Sequence, residues 1–353
     1  NVEASAFSFC SGFTELKIGK NMTSISSSSF SNCHKLSSLS IPKWITTIES
    51  NAFSYCSGIT GTLTIPDTVY YIGEAAFSQC TGINDLVIGR SIKEINPNVF
   101  SNCTSLNKLT IPDSVISIGF YAFSYCSGIK GTLVIPDTVQ FLGEGAFFYC
   151  TGFDGSLKIS NNLEVISSNA FQYCSHFSGE LEIPDSVISI DPYSFSSCSG
   201  FKGALKIPDN VLFIGTFAFS FCFGFDGQLI LSHNLAIISD SAFRSCTNLT
   251  GDLAIPDSVI FIEPYAFSSC SKLKGSLVIP DTVLDVGTGA FSVCSGFDGN
   301  LVISSNLTEI SSNVFQYCSL LKGTLKIPDS VKSIGSYAFS FCSSLQTIFI
   351  PQS

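Results

Sequence analysis

Apolar and polar positions follow one arrangement that recurs along the chain. In one repeat the apolar positions are Ile59, Leu63, Ile65, Val69, Ile72, Ala76, Phe77 and Cys80. The alternation in Leu63-Thr64-Ile65 predicts a short strand with one buried face. Pro66 has no N–H group for a strand ladder, so it ends this strand. The segment "GEAAFSQC" at 73–80 is too short for an isolated helix, and it predicts a 3₁₀ turn or a single α-turn.

The repeat has a nearly fixed length. The 15 cysteines run from Cys10, Cys33 and Cys56 to Cys342, and a phenylalanine stands three positions before each. A period of roughly 20–29 residues indicates a leucine-rich-repeat-like solenoid, whose coils must stack to bury their apolar sides. The longer coils carry one extra residue before the strand, typically a glycine.

We therefore predict about 15 coils of roughly 23–24 residues, with short parallel strands forming one continuous sheet face. The 3₁₀ or short helical turns are expected on the opposite side. The predicted structural core includes Phe77, Cys80, Phe123, Cys126, Phe147, Cys150, Phe219, Cys222, Phe267 and Cys270.

The cysteine column has three interpretations: small apolar packing groups, disulfides between coils, or metal ligands. Strands in neighbouring coils lie about 4.8 Å apart, which is longer than the roughly 3.8 Å between Cβ atoms in a disulfide. The number of cysteines is odd, and no C-x-x-C pair occurs. These observations favour reduced, buried cysteines, and they leave the redox compartment undetermined.

A longer period groups the coils in threes. Proline follows the strand in two of every three coils, and "IGKN", "IGRS", "ISNN", "LSHN" or "ISSN" stands there in the third. The phrases "GFDGSLKISNNL", "GFDGQLILSHNL" and "GFDGNLVISSNL" begin at Gly152, Gly224 and Gly296, so they recur at one constant interval. We interpret residues 1–353 as a single solenoid domain built from three-coil blocks of about 70–72 residues, three times the coil length. Because the chain opens inside a repeat, we also expect it to be a segment of a longer protein.

Charge and composition exclude some partners. The net charge is −10, and the 17 lysines and arginines are scattered, which argues against nucleic acid. No apolar run approaches the roughly 20 residues that span a bilayer, so the sequence predicts no transmembrane segment.

Catalytic chemistry has no signature in the sequence. His34, His176 and His233 occupy unrelated repeat positions, so they do not predict a converging site. The aspartates of the "IPD" turns form a partial row, for which calcium binding and local turn hydrogen bonds are both open, with turn bonding favoured. We predict a non-enzymatic protein with no cofactor and no metal.

Two surfaces are candidates for binding a protein partner. On the strand face, outward apolar residues are predicted side by side on four successive strands, at Ile230, Ala254, Val278 and Val302. Aromatic residues stand on the flank between the repeat Val and Ile, at Tyr71, Phe141, Phe213 and Phe261. Exposed sets of this kind are typical of interaction sites. The alternative, which the residue types favour for both sets, is that the first set are ordinary strand formers and the second set cover the flank of the stack.

Two stretches resemble a known family: "LTIPDTVYYIGEAAFSQC" at 63–80 and "LKIPDSVKSIGSYAFSFC" at 325–342. Their pattern is similar to that of BspA-like leucine-rich repeat proteins, which occur on the surfaces of mucosal bacteria and protozoan parasites. The resemblance covers all 353 residues. It implies a horseshoe or gently curved solenoid, a cell-surface or extracellular location and, for some members, adhesion to host cells or matrix proteins. It supplies no catalytic residues.

The leading hypothesis is a surface-displayed protein-interaction module, adhesive to host cells or extracellular matrix. The alternative is a structural spacer or filament subunit that self-associates end to end, because "LQTIFIPQS" at 345–353 would present an unpaired strand edge.

Overall fold

The structure, a computed structural model, describes residues 2–351. The chain divides into two compact units, Asn1–Phe177 and Ser178–Ser353, and each is described by itself. Both units are solenoids of short parallel strands, and the chain makes about 14 turns where about 15 coils were predicted. The predicted solenoid of parallel strands is confirmed. A single domain over residues 1–353 stays a prediction.

The strands are two to five residues long. Those of the first unit are β1 (Ser24–Ile25), β2 (Thr47–Ile48), β3 (Gly61–Thr64), β4 (Tyr71–Ile72), β5 (Ile83–Val87), β6 (Glu94–Ile95), β7 (Ser117–Ile118), β8 (Leu133–Val134), β9 (Phe141–Leu142), β10 (Leu157–Lys158) and β11 (Val165–Ile166). Those of the second unit are β12 (Ser189–Ile190), β13 (Leu205–Lys206), β14 (Phe213–Ile214), β15 (Leu229–Ile230), β16 (Ile237–Ile238), β17 (Gly251–Asp252), β18 (Phe261–Ile262), β19 (Leu273–Lys274), β20 (Leu277–Val278), β21 (Asp285–Val286), β22 (Leu301–Val302), β23 (Glu309–Ile310), β24 (Gly323–Lys326), β25 (Ser333–Ile334) and β26 (Leu345–Phe349).

The strands form two rows, one before and one after the proline turn, and most coils contribute to both. In the first unit the row before the turn contains the pairs β3–β5 and β8–β10. The row after the turn contains the groups β1-β2-β4 and β6-β7-β9. In the second unit β13–β15, β17–β19, β20–β22 and β24–β26 pair in the first row, and β16-β18-β21 is a group in the second row.

The prediction of one continuous sheet face was wrong, because the first row is divided into pairs. The coils of Leu109 and Leu253 place no strand in this row at the Leu position, although their neighbours do. A ladder of two residues holds few N–H donors, and the proline that follows cannot extend it. For example, Leu133 N–H donates to Ser156 O at 3.0 Å, Ile135 N–H donates to Lys158 O at 2.9 Å, and Pro136 comes next.

The predicted helical turns were also wrong, because no helix occurs in residues 2–351. In the turn segment 73–80, the N–H groups of Ala75, Phe77 and Gln79 donate to carbonyl oxygens of the next coil, at 2.8–3.0 Å. The intervening N–H groups, such as those of Ala76 and Cys80, donate to the carbonyl oxygen three positions earlier and close four-residue turns within the segment. Ala75 and Gln79 have φ of 54° and 62°, in the left-handed region. A residue of that conformation at every fourth position prevents a helix.

Phenylalanine and cysteine form two columns inside each unit. Phe53 and Phe77 stack with ring centroids 5.5 Å apart and planes 10° apart, and equivalent rings stack along both units. All ten residues of the predicted structural core are fully buried. Each described cysteine thiol is free. The Cys80 thiol donates to Phe53 O at 3.1 Å, and that oxygen also accepts the N–H of Cys56 at 3.2 Å. The cysteine is therefore a hydrogen-bond donor as well as a small packing group.

The "IPD" aspartates form hydrogen bonds between coils. Asp137 Oδ1 accepts the N–H of Asn161 at 2.9 Å, Asp209 Oδ1 accepts that of His233 at 2.9 Å, and Asp281 Oδ1 accepts that of Ser305. These backbone donors hold the pKa of each of the three carboxyl groups below its usual range. Successive bonds are one block apart, so each three-coil block from Asp137 onwards carries one. We call them the block clasps.

The coil that contains a clasp aspartate also contains a glycine with a positive φ, as in the coils of Asp137 and Asp209. Gly131 has φ of 81°, and its N–H donates to Asp154 Oδ1 at 2.7 Å. Gly203 has φ of 74°, and its N–H donates to Asp226 Oδ1 at 2.8 Å. Glycine adopts this conformation without a Cβ clash, which explains the extra glycine at Gly131 and Gly203.

Replacing Ser194 with alanine is expected to stabilise the protein. Ser194 is fully buried, and its hydroxyl has no hydrogen-bond partner. The same position is alanine in other coils, for example at Ala218. Removing an unpaired buried hydroxyl should raise the free energy of unfolding by about 1 kcal/mol, measured by urea denaturation. Ser220→Ala is the matched control and should destabilise, because the Ser220 hydroxyl bonds that of Ser196 at 2.9 Å. A loss of stability in Ser194→Ala would contradict the unpaired hydroxyl.

The buried thiols predict a loss of stability in alkali. Burial raises the pKa of Cys246 to about 12, whereas an unfolded thiol titrates near about 8.5. The pKa is higher in the folded state than in the unfolded state. The thiol's contribution to the free energy of unfolding is therefore complete below the unfolded pKa and declines as the pH rises towards the folded pKa. The expected slope is about 1.4 kcal/mol per pH unit for each such thiol. Cys246→Ala should reduce the measured slope by that amount, and Cys10→Ala, at an exposed cysteine, is the control. Equal slopes in wild type and Cys246→Ala would refute this.

Candidate functional site

The strand-face candidates lie in the second unit and are only partly on strands. Ile230, Val278 and Val302 lie on β15, β20 and β22, and their exposed fractions are 39%, 46% and 49%. Ala254 is exposed but lies outside every strand. Val278 pairs with Val302, whereas Ile230 pairs with Lys206. The prediction of four residues on four successive strands was therefore wrong, because the first row of strands is divided into pairs and Ala254 lies outside them.

A groove lies beside Val302. It has a volume of about 680 Å³ and lies between the coils of Leu301 and Lys326. Val302, Lys326, Pro328 and Asp329 contribute to its wall. The groove mixes apolar groups with two opposite charges, those of Lys326 and Asp329, so it has no single chemical preference.

The flank candidates are all solvent-exposed. In the first unit Tyr71 lies beside Tyr70, and Phe141 contacts Phe120 edge to face with ring centroids 5.9 Å apart. In the second unit Phe213 and Phe261 are exposed by 44% and 41%.

The second unit has the larger flank surface. Exposed apolar side chains occupy equivalent positions in the four coils from Leu212 to Leu284. We call this surface the flank patch, formed by Leu212, Phe213, Ile237, Ile260, Phe261 and Leu284. In a coil farther along the chain the positions of Leu212 and Phe213 hold Lys332 and Ser333. The solenoid therefore accepts polar residues there, and packing of the stack alone does not require the apolar ones.

The backbone of the flank patch is held by hydrogen bonds between coils. Ile237 and Phe261 are register partners in the β16–β18 ladder. Ile260 N–H donates to Ala236 O at 2.8 Å, and Leu284 N–H donates to Ile260 O at 2.9 Å. A partner that binds here would meet a preorganised apolar surface, which lowers the entropic cost of association.

Some exposed residues were missed by the sequence analysis. Leu284 occupies the position of Ile260 one coil later and is 51% exposed, so aligning the repeats would have found it. Exposed tyrosines directly before the cysteines, such as Tyr125, Tyr149 and Tyr173, were also missed. All three have a left-handed backbone, which residue type does not signal.

The histidines have separate local roles. His176 Nδ1 is 2.7 Å from Thr151 O, and His233 Nδ1 is 2.9 Å from Asp209 Oδ1 at an exposed site. Among residues 2–351 no group of three or more His, Cys, Asp or Glu side chains could hold a metal ion. The same part of the chain has no helix of the length and hydropathy needed to cross a bilayer.

The repeat matches a known family of repeat proteins. The model of the BspA type leucine-rich repeat region matches the chain over 1–130, 60–178, 131–250, 177–298 and 237–353. The chain belongs to the BspA-type leucine-rich repeat family. No curated protein matches it. The family is one of repeat proteins, and no enzyme family is indicated.

Two solved structures are similar over most of the chain. A leucine-rich cell surface protein of Faecalibacterium prausnitzii is 26% identical, with 88% of this chain and 84% of that chain covered and a TM-score of 0.50. A leucine-rich repeat protein of Bacteroides ovatus is 25% identical, with 86% and 88% covered and a TM-score of 0.50. These similarities agree with a BspA-type solenoid that acts as a protein-interaction module.

Proposed function

We propose that this BspA-type chain is a surface-displayed adhesion module that binds host cells or extracellular matrix proteins through the flank patch. The flank patch is the observation that carries the proposal, because it exposes apolar side chains on successive coils where the same fold accepts lysine and serine. Contiguous exposed apolar surface, with aromatic anchors, is typical of protein interaction sites. The similarity to a cell surface protein supports display outside the cell.

The flank patch has the features of an interface core. Phe213 and Phe261 supply large apolar rings, and Leu212, Ile260 and Leu284 surround them with aliphatic surface. Asp285 pairs in register with Phe261 on β21 and gives the patch a charged border. An apolar centre with a polar rim is the usual arrangement of a protein–protein interface. The strand-face residues Val278 and Val302 remain a second, smaller candidate in the same unit.

A binding assay with immobilised matrix proteins tests this proposal. We expect saturable binding that the double variant Leu212→Lys/Phe213→Ser reduces at least tenfold, since losing two interface anchors costs roughly 2 kcal/mol or more. The variant copies the residues of positions 332 and 333, so it should fold. Val278→Lys tests the strand face in the same assay.

Ser333→Asp is the matched control, because it changes the position of Phe213 in a coil that is already polar. It should bind as the wild type does. If the double variant is folded by circular dichroism and binds normally, the flank patch is not the adhesive surface.

Assembly of solenoids end to end, the alternative function, stays a prediction. β26 exposes Ile348 and Phe349 by 51% and 60%, and this edge is the surface that such assembly would use. Gln352 and Ser353, the last residues of the predicted edge segment, lie outside the described residues.

A further inference from the structure

A second surface lies on the turn segments of the first unit. In every coil the residue directly before the cysteine has a left-handed backbone, and we call this position the pre-cysteine site. Several coils place Asn or Ser there, as at Asn102 (φ 59°) and Ser197 (φ 63°). Others place a larger side chain there, such as phenylalanine, valine or tyrosine, and Tyr125, Tyr149 and Tyr173 have φ of 59°, 60° and 63°.

These tyrosines combine two unfavourable features. A bulky residue in the left-handed region is uncommon and carries a conformational cost, which asparagine tolerates better. Each of the three rings is also 40–42% exposed, so burial does not compensate fully. Because asparagine or serine satisfies the same site elsewhere in the chain, the fold does not require tyrosine here. Side chains kept in unfavourable conformations concentrate at functional positions.

The three tyrosines form a continuous ridge on successive coils. The ring centroids of Tyr125 and Tyr149 are 5.3 Å apart, and those of Tyr149 and Tyr173 are 5.4 Å apart. Phe148 lies among them, with its centroid 5.3 Å from Tyr125 and 5.9 Å from Tyr173, edge to face in both cases. We call Tyr125, Phe148, Tyr149 and Tyr173 the tyrosine ridge. The tilted rings leave parts of their faces and edges open to a partner.

The charge around the tyrosine ridge favours a cation. The three turn segments that carry it, 119–126, 143–150 and 167–174, contain no lysine or arginine, and Glu144 is their one charged residue. The Tyr121 hydroxyl donates to Glu144 Oε1 at 2.7 Å, and the Tyr121 ring lies 6.4 Å from that of Phe148. The carboxylate is therefore held beside the ridge. The whole chain has a net charge of −10, which also attracts cationic partners.

The chain contains an internal example of the same interaction. In the second unit the guanidinium carbon of Arg244 lies 5.4 Å from the ring centroid of Tyr265. Arg244 occupies the repeat position of Phe148, and Tyr265 occupies that of Tyr121. A turn-segment tyrosine of this solenoid thus accepts a guanidinium over its ring. Arginine prefers such contacts because its planar group stacks on aromatic faces and is weakly hydrated.

We propose that the tyrosine ridge, with Glu144, binds an arginine-bearing cationic segment of a partner protein. The site is separate from the flank patch, which lies in the second unit, and it does not depend on the adhesion proposal. Guanidinium groups of the partner stack on the exposed tyrosines, and the Glu144 carboxylate forms an ion pair with one of them. Selectivity for arginine over lysine follows from stacking, since net charge alone does not separate the two.

Fluorescence anisotropy with labelled oligo-arginine and oligo-lysine peptides of equal length tests the proposal, using the full chain at physiological ionic strength. The arginine peptide should bind the wild type several-fold more tightly than the lysine peptide. Tyr149→Ser/Tyr173→Asn should weaken arginine binding about tenfold and abolish the preference. Tyr55→Ser is the matched control: it changes a pre-cysteine tyrosine between the coils of Asn32 and Gln79, and it should leave binding unchanged.

Thermal unfolding of the same variants separates a binding role from a packing role. The double variant should melt within a few degrees of the wild type, because it replaces strained tyrosines with residues that this site holds elsewhere. A large drop in its melting temperature would overturn the proposal, since the rings would then be kept for stability.

Glu144→Gln keeps an acceptor for Tyr121 and should weaken arginine binding several-fold with the fold intact. Equal affinity for both peptides, or no effect of Glu144→Gln and the tyrosine variants, would also overturn the proposal.

Discussion

The alternating hydrogen bonds of the turn segments are the constraint on which the rest of each unit depends. Every second N–H group donates to the next coil, and the others close local turns. This arrangement requires a left-handed residue at every fourth position. It fixes the separation of successive coils, and with it the distance at which the phenylalanine rings stack and at which a thiol reaches a carbonyl of the preceding coil. The apolar columns fill a spacing that the backbone sets.

The sequence predicted the parts of the fold that apolar periodicity controls. The buried positions of Phe77 and Cys80, the short strands and the repeat length follow from side chains that must leave water. It failed at the turn segment because Ala75 is a good helix former and gives no sign of a positive φ. It also failed at the continuous sheet. Leu109 lies outside every strand whereas Leu133 pairs with Leu157, and the Leu-x-Ile-Pro pattern is the same in both coils.

The candidate surfaces were predictable to the extent that repeats can be compared within the chain. Phe213 stands out because the equivalent position holds Ser333, and Leu284 would stand out in the same comparison. The tyrosine ridge could not be found this way. The ridge was recognised from the backbone conformation of Tyr149 and the ring contacts of Phe148, and neither can be recognised from residue types alone. The interior of the solenoid repeats, and the exposed positions vary, so specificity resides in the variable positions.

The block clasps have a consequence for how this chain can change in length. Asp137, Asp209 and Asp281 each accept a backbone N–H from the following coil, and such a bond recurs once in each block from Asp137 onwards. Unequal recombination that gains or loses one three-coil block joins two coils whose facing surfaces already match each other. A gain or loss of a single coil would instead leave one aspartate without its donor. The length of such a solenoid can therefore change during evolution by three coils at a time, without any change in the packing of its core.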